Sequence, residues 1–183
     1  MKKTILTFGL IGGVLSIIFT FLIATLCDKD MIAFDKAELV GYASMVIALS
    51  MIFFGIKSYR DNYGMGAVTF WKGVQIGILI TCIGSVMYIA GAELYTVINP
   101  GFAPRVTEKY KEYEARKLAQ KGASQAEIDA NVRQMTEMLN MMENPLIRFG
   151  IYLSEIFPVG LIITFLSAAL LRRRELLPAA STA

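Results

Sequence analysis

The sequence predicts an all-α fold: a four-span transmembrane helical bundle with an extracytoplasmic helical hairpin between spans three and four. Three observations carry that expectation. Four apolar runs, at residues 4–27, 37–56, 73–92 (continuing to 98) and 146–171, are long enough to cross a bilayer, since about 20 residues at 1.5 Å rise cover the roughly 30 Å hydrocarbon core. The chain of 183 residues is 55% hydrophobic and 18% charged, with mean hydropathy +0.54, whereas a soluble domain averages about 25% charged. One stretch, 99–144, breaks the apolar pattern with a nearly balanced set of acids and bases. The resulting division is 1–98 for the first three spans, 99–145 for the hairpin, and 146–183 for the fourth span and a short tail.

Span one begins after Met1-Lys2-Lys3, as a signal peptide would, but signal apolar regions run only about 7–15 residues. Ala24-Thr25-Leu26-Cys27 resembles a lipoprotein cleavage box, yet Leu26 stands where a small residue is required, so the run is read as an uncleaved span. Gly9, Gly13, Ser16 and Thr20 form a small-residue stripe of the kind that lets helices approach in lipid. An acidic loop, 28–36, leads to span two, which repeats the device with Gly41, Ser44, Ala48 and Gly55.

Residues 57–72 read as an interfacial elbow. Lys57, Arg60 and Lys72 are its cations, and Tyr59, Tyr63, Phe70 and Trp71 are aromatics suited to the headgroup level. Gly64-Met65-Gly66 breaks any helix there, and without a closing Gly-Lys-Ser/Thr it is not a phosphate loop. In span three, Gly77, Gly84 and Gly91 recur every seven residues, with Gly73 four before them. A seven-residue repeat keeps one seam facing one neighbour, so these four glycines are the candidate helix-packing seam.

The polar segment splits into two helices. Pro104 suits a first helical turn, residues 105–121 are rich in helix formers, and Gly122 is placed as a C′ residue. Ser124-Gln125-Ala126-Glu127 fits a capping box. Ile128, Val132, Met135, Leu139 and Met142 then mark one apolar face, and Asn144-Pro145 closes the helix. Packing on its partner helix or on the bundle mouth competes with partner binding as the purpose of that face.

Lys2, Lys3, Lys57, Arg60, Lys72 and Arg172-Arg173-Arg174 would share one side of the membrane, opposed there only by Asp61 and Glu175. The positive-inside rule then places both termini in the cytoplasm, in a bacterial inner membrane. The expected partners are the lipid bilayer and another membrane or envelope protein. Nucleic acid is not among them.

Candidate chemistry is sparse. There is no histidine, which removes the usual general base and the commonest zinc ligand. Cys27 and Cys82 are not expected to pair, and no motif indicates a metal, a cofactor or an enzyme. Ionisable groups in spans default to functional hypotheses, and three carboxylates qualify: Glu38, Glu93 and Glu155. At 1.5 Å per residue they lie about 28, 32 and 25 Å from the cytoplasmic boundary, in one layer near the outer interface, with Arg148 close enough to neutralise part of it. Snorkelling to the interface competes with a ligand or proton site. For the latter Glu155 stands out, being the deepest and close to Pro158, which loosens its helix.

Gly55-x-Lys57-x-Tyr59-Arg60-Asp61, then Gly66, Thr69-Phe70-x-Lys72-Gly73 and Gly77, together with four spans and a long loop before the last, resemble an uncharacterised Bacteroidetes-type family of bacterial membrane proteins, the domain of unknown function 4199. The resemblance implies an inner-membrane four-helix protein and no catalytic residues. The favoured expectation is a structural or accessory component of envelope processes that recruits a partner through its external hairpin. The alternative is a small oligomeric transporter or channel using the outer acidic layer; against it, Ser44, Ser50, Thr81 and Ser85 are few polar groups for a midplane site.

Overall fold

The computed structural model describes residues 1–172. Arg173, Arg174 and Glu175, used above for orientation, lie outside the described residues. Seven helices run in order: α1 (Lys2–Asp28), α2 (Phe34–Leu49), α3 (Met51–Tyr63), α4 (Phe70–Ile98), α5 (Phe102–Gln120), α6 (Gln125–Met141) and α7 (Pro145–Leu171). Four segments are long and apolar enough to cross a membrane: Lys2–Asp28, Asp35–Tyr63 (α2 running into α3), Phe70–Ile98 and Pro145–Leu171.

Interlocking side chains fix an up-down-up-down order. On α1, Gly9 faces Ile83 and Gly13 faces Met87 of α4, so those two spans are parallel. Going up α4, Gly73 faces Ala168, Gly77 faces Thr164 and Glu93 reaches Arg148, so α7 runs antiparallel to it. One end of the bundle, here the proximal end, therefore gathers Lys2, Tyr63, Phe70 and Leu171; the distal end gathers Asp28, Ala33, Ile98 and Pro145. Leu6, Leu10, Val14, Ile18 and Leu22, each about half exposed, form an outward aliphatic face along α1. Such a face belongs against lipid rather than water.

The packing is tight at the proximal end and open at the distal end. The core cluster comprises Ile5, Met45, Leu49, Ile52, Ile56, Val68, Ile76, Ile80, Ile156 and Leu171, nearly all from the proximal half of each span. No residue of α1 beyond Ser16, and none of α7 before Ile156, is buried. Between Glu38 and Ala43, α2 buries nothing. Only α4 stays buried along its length, from Gly73 to Tyr95.

Three expectations about the spans need correction. Span two does not end at Ile56: α3 continues to Tyr63 and breaks at Gly64-Met65-Gly66, where Gly66 takes φ 78° and its amide donates to the Arg60 carbonyl. That extension places Arg60 on the inward stripe of Ile52 and Ile56, four residues apart each. Arg60 is therefore fully buried, with Nε donating to Asp61 Oδ1 at 2.8 Å, rather than lying on the surface of the elbow. Asp61 also receives Lys57 Nζ at 3.0 Å, so the residues that carry the family resemblance form a packed, ion-paired turn.

Nor do the candidate seam glycines face one neighbour. Gly73 and Gly77 abut α7, Gly91 abuts Ile17 of α1, and Gly84 has only Leu49 nearby. Gly73 and Gly91 stand about five whole turns apart and so share one face of α4; it is the neighbour against that face that changes, from α7 at the proximal end to α1 at the distal end. The third correction is Gly41, where an added Cβ would meet nothing within 4 Å. It packs against no helix.

The polar segment behaves locally as its sequence dictates. α5 ends in a Schellman turn: the Gly122 amide donates to the Ala119 carbonyl, the Ala123 amide donates to the Leu118 carbonyl, and Gly122 adopts φ 80°, a conformation glycine takes without penalty. Ser124 and Glu127 form the full capping box at the start of α6. Asn144 caps α7, its Oδ1 accepting from the Leu146 amide at 3.0 Å, with Pro145 in the first turn.

Candidate functional site

The distal ends of the spans hold a cavity of about 280 Å³. It lies between α1, α2, α4 and α7, with α5 closing one side. α1 contributes Phe19, Thr20 and Cys27; α2 contributes Gly41 and Ser44; α4 contributes Tyr88 and Tyr95; α5 contributes Phe102 and Val106; α7 contributes Tyr152 and Glu155. The walls are mostly apolar and aromatic, and Glu155 is the one carboxylate among them.

The aromatic groups hold one another in place. The Tyr95 ring packs edge-on to Phe21 at 5.0 Å and to Phe102 at 4.8 Å, and its hydroxyl lies 3.3 Å from Thr25 Oγ1. Tyr88 packs edge-on to Tyr152 at 6.1 Å, and its hydroxyl donates to Glu155 Oε2 at 3.4 Å. Edge-to-face pairs are worth about 0.5–1.5 kcal/mol each beyond the area they bury, enough to give these rings fixed orientations.

The three carboxylates expected to form one layer have three different fates. Glu93 makes a bidentate pair with Arg148, Nε to Oε1 at 2.5 Å and Nη2 to Oε2 at 2.6 Å, and Arg148 Nη1 also donates to the Met142 carbonyl at 3.2 Å. This fork joins α4 to α7 and to the end of α6. Glu38 is exposed, with no ion pair among the described residues. Glu155 is exposed as well, but it lines the cavity and receives only the Tyr88 hydroxyl. Arg148 thus serves Glu93 and not Glu155.

Two further ion pairs, not foreseen from the sequence, tie α5 across the bundle. Arg105 grips Asp28 through Nε and Nη2, both at 2.9 Å, and Lys109 Nζ reaches both Asp30 oxygens at 2.8 Å and the Asp28 carbonyl at 3.0 Å. The Asp28 carboxylate, hydrogen-bonded to Arg105, raises that guanidinium's pKa above its ordinary value. On the same helix, burial pushes the Tyr110 phenol up, with the Glu114 and Glu38 carboxylates acting in the same direction. The loop 28–36 is acidic in sequence, but its partners stand 77 and 79 residues away, a distance no local pattern reports.

Polar groups deeper in the bundle are largely spent on backbone. Ser44 donates to the Gly41 carbonyl, Ser50 to Ile47 and Thr81 to Gly77. Thr81 and Thr164 also meet at 3.4 Å between α4 and α7. No group of three or more metal-ligating side chains occurs among the described residues.

Four apolar helices sharing one core, an outward aliphatic face, and a polar segment strapped across one end define a multi-pass helical membrane protein. Residues 7–173 match the family described as protein of unknown function DUF4199, and the chain belongs to that family. No curated protein and no solved structure matches the chain.

Proposed function

We propose that this protein is a non-enzymatic accessory component of the bacterial inner membrane, with both termini in the cytoplasm. On this reading α5 and α6 form an extracytoplasmic hairpin that recruits a partner in envelope assembly. The observation that carries it is the lodging of α6. It packs on α5, buries no residue, and leaves Met138 and Met141 more than half exposed. Exposed methionines adapt to varied apolar surfaces. Around them α6 carries Glu127, Asp129 and Glu137 against Arg133 alone, so the partner surface that fits is an apolar strip bordered by basic residues. Lys2, Lys3, Lys57 and Lys72 at the proximal end support the orientation.

The transport alternative receives less support. Of the acidic layer formed by Glu38, Glu93 and Glu155, Glu93 is already engaged by Arg148, which leaves two separate carboxylates rather than a layer. Of the midplane hydroxyls, those of Ser44, Ser50 and Thr81 are turned to their own helices, and that of Ser85 is buried without a hydrogen-bond partner among the described residues.

The test is photo-crosslinking in native membranes from a benzophenone side chain placed at position 138. The expected result is a discrete protein adduct that fades when Met141 is changed to Gln. Crosslinks to lipid alone, or co-purifying partners retained after deletion of residues 104–142, would overturn the reading.

A further inference from the structure

At the distal end of the bundle three cations are each taken by an acid, and the acid that lines the cavity is not one of them. Arg105 is taken by Asp28, Lys109 by Asp30 and Arg148 by Glu93. Glu155 has no cation among the described residues. Its hydrogen bond from Tyr88, at 3.4 Å, is long beside the roughly 2.5–2.7 Å of a strong hydroxyl–carboxylate bond. Glu155 is exposed on a spanning helix, and in hydrocarbon a carboxylate costs free energy unless an opposite charge or strong donors meet it. Lining the same cavity is a set of rings, Phe19, Tyr88, Tyr95, Phe102 and Tyr152.

One carboxylate amid several aromatic rings is the donor set that recognises an organic ammonium. The acid supplies the opposite charge, and the ring quadrupoles attract the cation and its polarised methyl or methylene groups. The same donors suit a metal ion poorly. A single carboxylate offers at most two oxygens, whereas calcium takes six to eight and magnesium six. At about 280 Å³ the space sits just under the roughly 300 Å³ lower end of small-molecule pockets, so it accommodates a compact headgroup.

We propose that the cavity is a binding site for a small organic ammonium, its nitrogen against Glu155 and its carbon substituents among the aromatic side chains. Charge complementarity selects this occupant over a neutral acyl chain, which would leave Glu155 as it stands, uncompensated. Phe102 and Val106 of α5 form part of the wall, so the helix strapped down by Asp28 and Asp30 also helps enclose the site. The proposal is independent of partner recruitment by α6.

The experiment uses the full-length protein in dodecyl maltoside micelles and measures binding of radiolabelled benzyltrimethylammonium by equilibrium dialysis, corrected with protein-free micelles. The expected result is saturable binding of one molecule per chain, not displaced by neopentylbenzene, its uncharged carbon isostere. Glu155→Gln should weaken binding at least tenfold and Tyr88→Leu severalfold, with helix content by circular dichroism unchanged. Absence of saturable binding, equal displacement by the isostere, or affinity within twofold in Glu155→Gln would each overturn the assignment. The isostere comparison uses the unaltered chain, so it decides the matter even where a variant fails to fold.

Discussion

Removing the fork between Glu93 and Arg148 should cost measurable stability, and the cost should reside in the pair. Two unit charges about 4 Å apart interact by about 4 kcal/mol at an effective dielectric constant of 20. Here the side chains are 25% and 36% exposed, so solvent screening and desolvation reduce the net coupling to about 1–2 kcal/mol. Glu93→Gln keeps an acceptor for the guanidinium and loses the charge. Arg148→Met loses the charge and the bond to the Met142 carbonyl, and should be worse by about 1 kcal/mol, the net worth of one hydrogen bond. The assay is a double-mutant cycle on the full-length protein in micelles, with unfolding followed by circular dichroism. The Glu93→Gln/Arg148→Met protein should then be less destabilised than the sum of the singles by the coupling energy. A coupling below about 0.5 kcal/mol, the range of ordinary exposed pairs, would refute the view that this fork closes the distal end.

Gly77 and Gly84 lie in the same repeat but should respond differently. A Cβ at Gly77 would sit 2.5 Å from Thr164 Cγ2, so Gly77→Ala should destabilise by about 1–3 kcal/mol through overpacking. Gly84→Ala meets only Leu49 Cδ2 at 4.0 Å and should stay within about 0.5 kcal/mol of the parent; equal losses at the two sites would contradict the packing described. Asp28→Asn should free α5 from α1, read as faster amide exchange over residues 102–110 without change in the proximal core, and unchanged exchange would show that Lys109 suffices. The Glu127 carboxyl, held below its ordinary value of 4.5 by the Ser124 amide and hydroxyl, makes the capping box pH-dependent. Because its folded pKa is the lower, the cap contributes fully above the unfolded value and is lost as pH falls through the folded one. The Ser124 amide resonance should therefore titrate with a midpoint below 4.5, and a midpoint at or above that value would mean that the cap does not form.

What could be read from the chain was whatever is decided within a few residues. The Gly122 turn, the Ser124–Glu127 box and the break at Asn144-Pro145 depend on backbone geometry within one helical turn, and the spans depend on length and polarity alone; that Asn144 also caps the following helix was not read from the chain. Arg60 was misplaced because the apolar pattern of span two was cut at the first charge, whereas the inward stripe continues from Ile56 to Arg60. The cavity was legible only in part. Glu155 was singled out as an acid in a span, but Tyr88 and Tyr152 gave no signal, since aromatic residues in a membrane helix are ordinary. The choice of Arg148 for Glu93 and not for Glu155 depends on which faces of α4 and α7 meet, and those faces are set by glycine contacts that a sequence pattern does not rank.

Ser50, where α2 hands over to α3, has a mechanical consequence. Below it the second span is clamped by Ile52 and Ile56, both fully buried; above it, among the described side chains, α2 buries Ser44, Met45, Ala48 and Leu49 beside the joint and Ala37 alone further out. The helix is thus held at one end like a cantilever, with its root at a residue whose amide is shared between the carbonyls of Val46 and Ile47. The arm of α2 is 16 residues long, or about 24 Å at 1.5 Å per residue, so a tilt of about 10° at the root moves its tip by about 4 Å. At Gly41, the cavity-lining residue of α2 farthest from Ser50, the same tilt would shift the wall beside Glu155 by about 2 Å at 1.5 Å per residue.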